Sequence, residues 1–450
     1  MRLSDIAQWT QGSLFGDDAI VHAIGTDSRV PMPGALFVAL KGDSHDGHDF
    51  VGAAKAEGAV AVLVSYVVAV DLPQVVVDDT QVALGAIARA LRAQRHARVV
   101  GITGSNGKTT VKTLLASILA LHGRTHVNAG NLNNEIGLPL SLLALPKDAE
   151  YAVFEMGAGK PGDIAYLAAI AQPQIGLVNN IAPAHLERMG TLEGIAQTKG
   201  ALYAALPPDG IAIINADDPF AATFAKMNRA QRTIRFGLHQ AAEVRADLRS
   251  LAGNARFVLR IGADRADIAL PLAGKHNVMN ALAAAAIAHA LEVPLATIKQ
   301  GLESAAAVQG RLVRHAMPGG WTLIDDSYNA NPGSTRAAID ALAAEGLETW
   351  LVLGDMRELG PTARQLHAQV GEYARDLGIA RLFAVGELSR AAVDAFGPGA
   401  KHYEHQEELI ATLAAQVRAG VTMLVKGSRG SAMDRVVRAL GVGGGAGHAA

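Results

Sequence analysis

Between an apolar run ending at Ile102 and a helical pattern carried by Val111, Leu114, Leu115 and Ile118 stands Thr103-Gly104-Ser105-Asn106-Gly107-Lys108-Thr109-Thr110. Strand, glycine-bearing loop and helix in that order point to an α/β fold with a phosphate-binding turn. The glycines let backbone N–H groups turn toward one anion, Lys108 adds a point charge, and the Thr109 hydroxyl can ligate Mg²⁺. A nucleoside triphosphate is the expected occupant, held by Gly104, Ser105, Asn106, Gly107, Lys108, Thr109 and Thr110. Only two residues separate Gly104 from Gly107, where the general pattern has four, so a chance Gly-x-x-Gly-Lys-Thr stays open on these residues alone.

A chain of 450 residues exceeds the size at which one hydrophobic core keeps growing, so two or three domains are expected. The net charge is −2, with no Lys/Arg block, which argues against nucleic acid as a partner. Absence of cysteine excludes disulfides, thiolate metal sites and cysteine nucleophiles, leaving oxygen or histidine for any metal. The first residues lack a basic-then-apolar leader, and the longest apolar stretch, 59–70, is short and contains Ser65 and Tyr66. A soluble cytoplasmic protein without membrane insertion is expected.

Apolar runs ending in Gly, Asp, Glu or Asn alternate with Ala/Leu-rich helical patterns, the signature of parallel sheets covered by helices on both faces. Strands are expected at 99–103, 151–156, 175–180 and 211–215, and again at 322–326, 350–354, 381–385 and 422–426. The stretch to about Asp79 has its own short strands (36–40, 60–65, 75–77) and a helix over 49–57, and a helix over 81–96 follows. A second boundary falls near Gln309-Gly310-Arg311. The predicted organisation is three α/β domains, 1–81, 82–312 and 313–450, with a disordered tail from about 441.

Ligands bind at the carboxyl ends of such strands. Glu155 ends one strand and His185 follows the next, and a hard cation bridging phosphates wants ligands of this kind. Lys199 lies on a helical pattern over 191–204, where a lone lysine is ordinarily solvated. The segment Asp325-Asp326-Ser327-Tyr328-Asn329-Ala330-Asn331-Pro332-Gly333-Ser334 packs two acids, two asparagines and a tyrosine into a strand-to-helix turn, with Ser334 placed to cap the helix. Leu353-Gly354-Asp355-Met356-Arg357 and Lys426-Gly427-Ser428-Arg429 sit similarly. Asn277 and Asn280, one turn apart where a helix begins, can grip a base or cap that helix.

Together these motifs resemble the Mur ligases over nearly the whole chain. The resemblance rests on residues 103–110, on Asn131-Leu132-Asn133-Asn134-Glu135-Ile136-Gly137, on 325–332 and on 353–360. It implies an N-terminal α/β domain for a UDP-sugar peptide, a central phosphate-loop parallel-sheet domain for ATP, and a C-terminal Rossmann-like α/β domain for the amino component. The Asn-Pro-Arg signature of diaminopimelate- or lysine-adding relatives is missing, so the resemblance implies joining of D-alanyl-D-alanine to UDP-N-acetylmuramoyl-tripeptide through an acyl phosphate.

By the same resemblance Ser28, Arg29, Lys41, Asp46 and His48 belong to the nucleotide-sugar end, with Asn133 and Asn134 also on the substrate. Asn277, Asn280, Arg311 and Asp326 belong with ATP, and Tyr328, Asn329, Asn331 and Arg357 with the dipeptide side. Gln197-Thr198-Lys199-Gly200 resembles the site of a carbamylated lysine, although Ala201 replaces the acidic residue of many relatives. Thr109, Glu155, His185 and carbamylated Lys199 are then the expected holders of two Mg²⁺ ions, with Lys108 stabilising the transferring phosphoryl group. A monomer is expected. Another amide ligase of the superfamily, such as a folylpolyglutamate synthase, and a nucleotide-driven switch remain the alternatives.

Overall fold

The computed structural model describes residues 1–441 apart from Asp43, His185, Ala252, Ala307 and Leu347. The tail predicted to be disordered, beyond 441, and the expected ligand His185 lie outside the described residues. Three sheets follow one another along the chain.

The first sheet has the order Ser13–Phe15, Gln74–Val76, Ala61–Val64, Ala35–Val38, Ala23–Gly25. Its inner strands are parallel and Ser13–Phe15 closes one edge antiparallel. Asp79 then caps the helix Thr80–Arg92 by accepting from Gln81 and Val82 N–H, which satisfies two of the orphan donors every helix start exposes.

Nine strands make the central sheet, in the order Asp264–Leu270, Ala255–Ile261, Val244–Ser250, Arg232–Gly237, Ile211–Asn215, Ile175–Val178, Arg98–Thr103, Tyr151–Glu155, Thr125–Val127. From Val244–Ser250 back to Thr125–Val127 the pairing is parallel. Val244–Ser250 and the two strands beyond it form an antiparallel meander, an element not read from the sequence. The expected parallel sheet is thus extended at one edge by this antiparallel meander.

Helix Lys108–Leu119 buries Val111, Leu114, Leu115, Ile118 and Leu119 on one stripe, as its apolar spacing dictates. Helix Lys275–Ala290 is buried nearly all round, with the run from Ala281 to Ala286 fully inaccessible, so its small side chains permit close packing against its neighbours. Helix Leu295–Glu303 lies along the outermost strand, where Ala269 N–H donates to Glu303 Oε1 and Lys299 Nζ donates to the Asp267 carbonyl.

The last sheet runs Val313–Met317, Trp321–Asp326, Thr422–Lys426, Thr349–Gly354, Arg381–Val385, Ala400–Tyr403, antiparallel only at its first pair. Strand Thr422–Lys426 is inserted between two earlier ones, so the ends at Asp326, Gly354 and Lys426 become neighbours. In the central sheet Arg98–Thr103 is likewise flanked by later strands. Crevices open where strand order reverses in this way.

Candidate active site

A cleft of about 750 Å³ separates the carboxyl ends of the central and C-terminal sheets. One wall is the phosphate loop. Gly107, at φ 78°, turns the chain into helix Lys108–Leu119, and Lys108 Nζ folds back to the Gly104 carbonyl at 2.9 Å.

The loop is braced by asparagines. Asn179 Nδ2 donates to the Asn106 carbonyl and to Asn280 Oδ1, both at 2.9 Å. Asn180 Oδ1 accepts from Asn106 N–H at 2.9 Å, and Asn280 Nδ2 donates to Asn277 Oδ1 at 3.2 Å. Asn277 in turn donates to the Ala273 carbonyl. Neither Asn277 nor Asn280 caps its helix, which starts earlier, at Lys275 with Gly274 at the cap. Both line the cleft. The sequence reading placed Asn179 and Asn180 at a strand end without a role; two adjacent asparagines there were the available signal.

Glu155 is 3 % exposed, and strand register sets it beside Ile102 at the root of the loop. Its Oε2 accepts from the Thr109 hydroxyl at 2.8 Å, its Oε1 from Asn133 Nδ2 at 2.7 Å, and Lys112 Nζ stands 3.7 Å away. Burial pushes its proton affinity up, but the Lys108 and Lys112 charges and the two hydrogen bonds outweigh that and hold it below the ordinary value. Lys108 itself is pushed down by burial, against the pull of Glu155.

Arg311 crosses from the segment before the C-terminal sheet. Its Nη2 donates to Thr109 Oγ1 at 2.9 Å, and its guanidinium lies 4.4 Å from the centre of the Tyr328 ring. The Arg311 Nε is buried without a partner among the described residues. Asn331 Nδ2 reaches Asn106 Oδ1 at 2.7 Å, a second direct contact between the walls. Asn331, not Ser334, caps helix Pro332–Ala343, with Ser334 completing a reciprocal capping box. Pro332 at the first helical position places the helix start three residues upstream of the one a Ser334 cap would give.

Deep in the same wall the register pairs Asp326 with Lys426, and their side chains meet at 2.5 Å; Lys426 Nζ also donates to the Asn329 carbonyl at 3.0 Å. Burial raises Asp326 against the opposing Lys426 charge. Lys426, read from the sequence at a strand end, lines the cleft; His276, Lys160 and Arg188 line it too and were not singled out from sequence.

Lys199 overturns the solvated reading: it is 1 % exposed and has no hydrogen-bond or ion-pair partner among the described residues. Burial, then repulsion from Lys108, pushes its amine well below the ordinary lysine range, with Asp163 opposing. It does not line the cleft, and neither does Arg357, whose N–H donates to Ser428 Oγ at the end of the neighbouring strand.

The N-terminal candidates stand apart. Arg29 is exposed and forms a two-point pair with Asp27, while Ser28 is half-buried and Lys41 exposed. Asp46 and His48 are occupied in building their own turn. Asp46 accepts from His48 N–H and Nδ1, His48 Nε2 accepts from Ser65 N–H at 2.8 Å, and the buried imidazole stacks on Tyr66. No group of three or more His, Asp and Glu that would hold a metal occurs among the described residues. No helix among them is long and apolar enough to cross a membrane.

A glycine-turned loop at a sheet switch point, faced by a second α/β layer that touches it through Arg311 and Asn331, defines a phosphate-loop enzyme of the α/β class. Three family models match: the Mur ligase family catalytic domain over residues 20–116, the Mur ligase middle domain over 102–288, and the Mur ligase glutamate ligase domain over 310–429. The chain belongs to the Mur ligase family. The UDP-N-acetylmuramoyl-tripeptide–D-alanyl-D-alanine ligase of Escherichia coli K12 is 43% identical to it over 442 residues, spanning 97% of this chain and 98% of that protein. MurF from Acinetobacter baumannii superposes with a TM-score of 0.92 at 35% identity, over 97% of this chain and 98% of that one. MurF ligase from Thermotoga maritima, solved in complex with ADP, gives 0.85 at 28% identity over 94% and 98%.

Proposed function

We propose that the chain is an ATP-dependent ligase that joins D-alanyl-D-alanine to UDP-N-acetylmuramoyl-tripeptide, completing the peptide of a peptidoglycan precursor. The full-length likeness to ligases of that name supports the substrates. The observation that carries the chemistry is the contact of Arg311 and Asn331 with the phosphate loop, which supports phosphoryl transfer beside a C-terminal wall that holds the acceptor.

A carboxylate is a poor electrophile. In the first step its oxygen attacks the γ-phosphorus, the bond to ADP breaks, and an acyl phosphate forms. Lys108 and the amides of the loop stabilise the charge that moves. In the second step the dipeptide amine attacks the acyl carbon, loses a proton, and phosphate leaves with the bonding pair. Closure of the two walls excludes water that would hydrolyse the acyl phosphate.

The Thr109 hydroxyl and the Glu155 carboxylate, adjacent at the foot of the loop, are the paired hard oxygens that Mg²⁺ takes alongside phosphate and water. Bound Mg²⁺ neutralises charge on the phosphoryl oxygens. Two ions are proposed, held by Thr109, Glu155, His185 and a carbamate on Lys199. A buried amine with depressed proton affinity keeps a free electron pair for CO₂, and losing a proton leaves the anionic carbamate. The assignment of 1–81 to the UDP sugar, 82–312 to ATP and 313–450 to the dipeptide is supported by the three separate sheets. A monomer is the proposed working unit.

Phosphate release in the presence of UDP-tripeptide should require D-alanyl-D-alanine, and ¹⁸O placed in the peptide carboxylate should emerge in the phosphate. Activity with diaminopimelate and none with the dipeptide would favour another ligase of the superfamily. Slow ATP turnover indifferent to the UDP-sugar peptide would favour a switch.

A further inference from the structure

Lysine is seldom buried unless paired, yet Lys112, one turn beyond Lys108 on the same helix, is only 5 % exposed. Its Nζ donates to the Asn128 carbonyl at 2.8 Å and the Gly130 carbonyl at 3.2 Å, and stands 3.7 Å from Glu155 Oε2. It is not among the residues lining the cleft.

The loop it grips is wrapped around Glu155. The Asn128 side chain accepts from Glu155 N–H at 2.9 Å and donates to the Leu132 and Glu155 carbonyls. Asn133 donates to Glu155 Oε1, and its carbonyl accepts from Gly157 N–H at 2.7 Å. A Cβ on Gly157 would lie 2.8 Å from Asn133 Oδ1, so this loop is pressed against the strand end with no room for a side chain. Helix, loop and strand end therefore meet at one ammonium group. Once Lys108 turns from Gly104 to a phosphate, Lys112 is the cation left beside the buried carboxylate.

We infer that Lys112 is a positioning residue for the metal-holding side of the site: by clamping the Asn128–Gly130 carbonyls to Glu155 it keeps the carboxylate aimed at the foot of the phosphate loop before Mg²⁺ arrives. It touches neither nucleotide nor peptide and acts through Glu155. The inference rests on the nucleotide-site reading above.

The test measures ADP affinity calorimetrically on the full chain, with and without Mg²⁺, for the natural sequence and for Lys112→Met, which keeps most of the stem volume. Metal-free ADP should bind the variant within about twofold of the original, while the tightening conferred by Mg²⁺ falls about tenfold, the scale of one charge-assisted contact. Lys112→Arg, retaining charge and donors, should recover part of that tightening. Lys112→Gln, which keeps a donor for the Asn128 carbonyl, replaces Lys112→Met if the latter does not fold, with the same loss expected. An undiminished Mg²⁺ effect overturns the inference, and so does an enhanced one, which would mean that the ammonium merely competes with the metal. If Mg²⁺ fails to tighten ADP in the unmutated chain, the nucleotide-site reading falls and this inference with it.

Discussion

Gly107→Ala tests whether the asparagine brace holds the phosphate loop in its working shape. The residue sits at φ 78°, where an L side chain costs about 1–2 kcal/mol. Its new Cβ would lie 2.3 Å from Asn280 Oδ1 and 2.6 Å from Asn179 Nδ2, atoms that are bonded to each other at 2.9 Å. Parting that bond leaves buried amides unsatisfied, for about 1–3 kcal/mol more. Together these give about 2–5 kcal/mol, a large share of the roughly 5–15 kcal/mol that holds a domain folded. Thermal melting should drop on the order of 10 °C. ADP affinity, measured by calorimetry, should fall at least tenfold, because the displaced loop no longer points its amides at one anion. Gly52→Ala is the control: a Cβ there meets nothing within 4 Å inside helix Val51–Ala56, so it should be neutral or stabilise by about 0.5–1 kcal/mol. A Gly107→Ala chain that melts and binds ADP like the original would refute the brace.

Two further outcomes are expected. Lys199→Ala should lose ligase activity and regain part of it when a short carboxylic acid is supplied to replace the carbamate; a fully active variant would remove the carbamate from the mechanism. Burial, and after it the Lys426 charge, pushes the half-buried His276 imidazole from 6.5 down to about 4. The unfolded chain therefore takes a proton below pH 6.5 that the folded chain refuses until about pH 4. Stability is full above 6.5 and declines through that window, by at most about 1.4 kcal/mol per pH unit. Denaturant titrations at pH 7 and pH 5 should show a smaller loss for His276→Gln; equal losses would contradict the shift.

Much of the central and C-terminal architecture was legible because buried parallel strands are apolar on both faces and end abruptly at polar residues. The expected 211–215 and 381–385 match the observed strands, and Trp321–Asp326 and Thr349–Gly354 each begin one residue earlier than read. The meander was harder. Val244–Ser250 and Asp264–Leu270 carry arginines and aspartates at alternate positions, so their average polarity resembles loop although their period of two was there to be read. At the site, types and spacing pointed to Lys108, Thr109 and Glu155, which the structure brings together at the foot of the phosphate loop. The contacts of Lys112, the pairing of Lys426 with Asp326 and the burial of His276 beside Lys426 join residues 16 to 150 apart, a relation that only register and packing create. Asp46 and His48 are engaged first with one another, as polar residues in a short turn commonly are.

The helix laid along strand Asp264–Leu270 has a consequence for life at high concentration. A nine-stranded sheet presents at each rim a template on which another chain could add itself. Here Glu303 and Lys299 occupy an amide and a carbonyl of the outer strand with side-chain atoms, while the opposite rim, Thr125–Val127, is three residues long. Stripping Lys299 and Glu303 to alanine would expose a free rim and invite polymerisation of otherwise intact molecules.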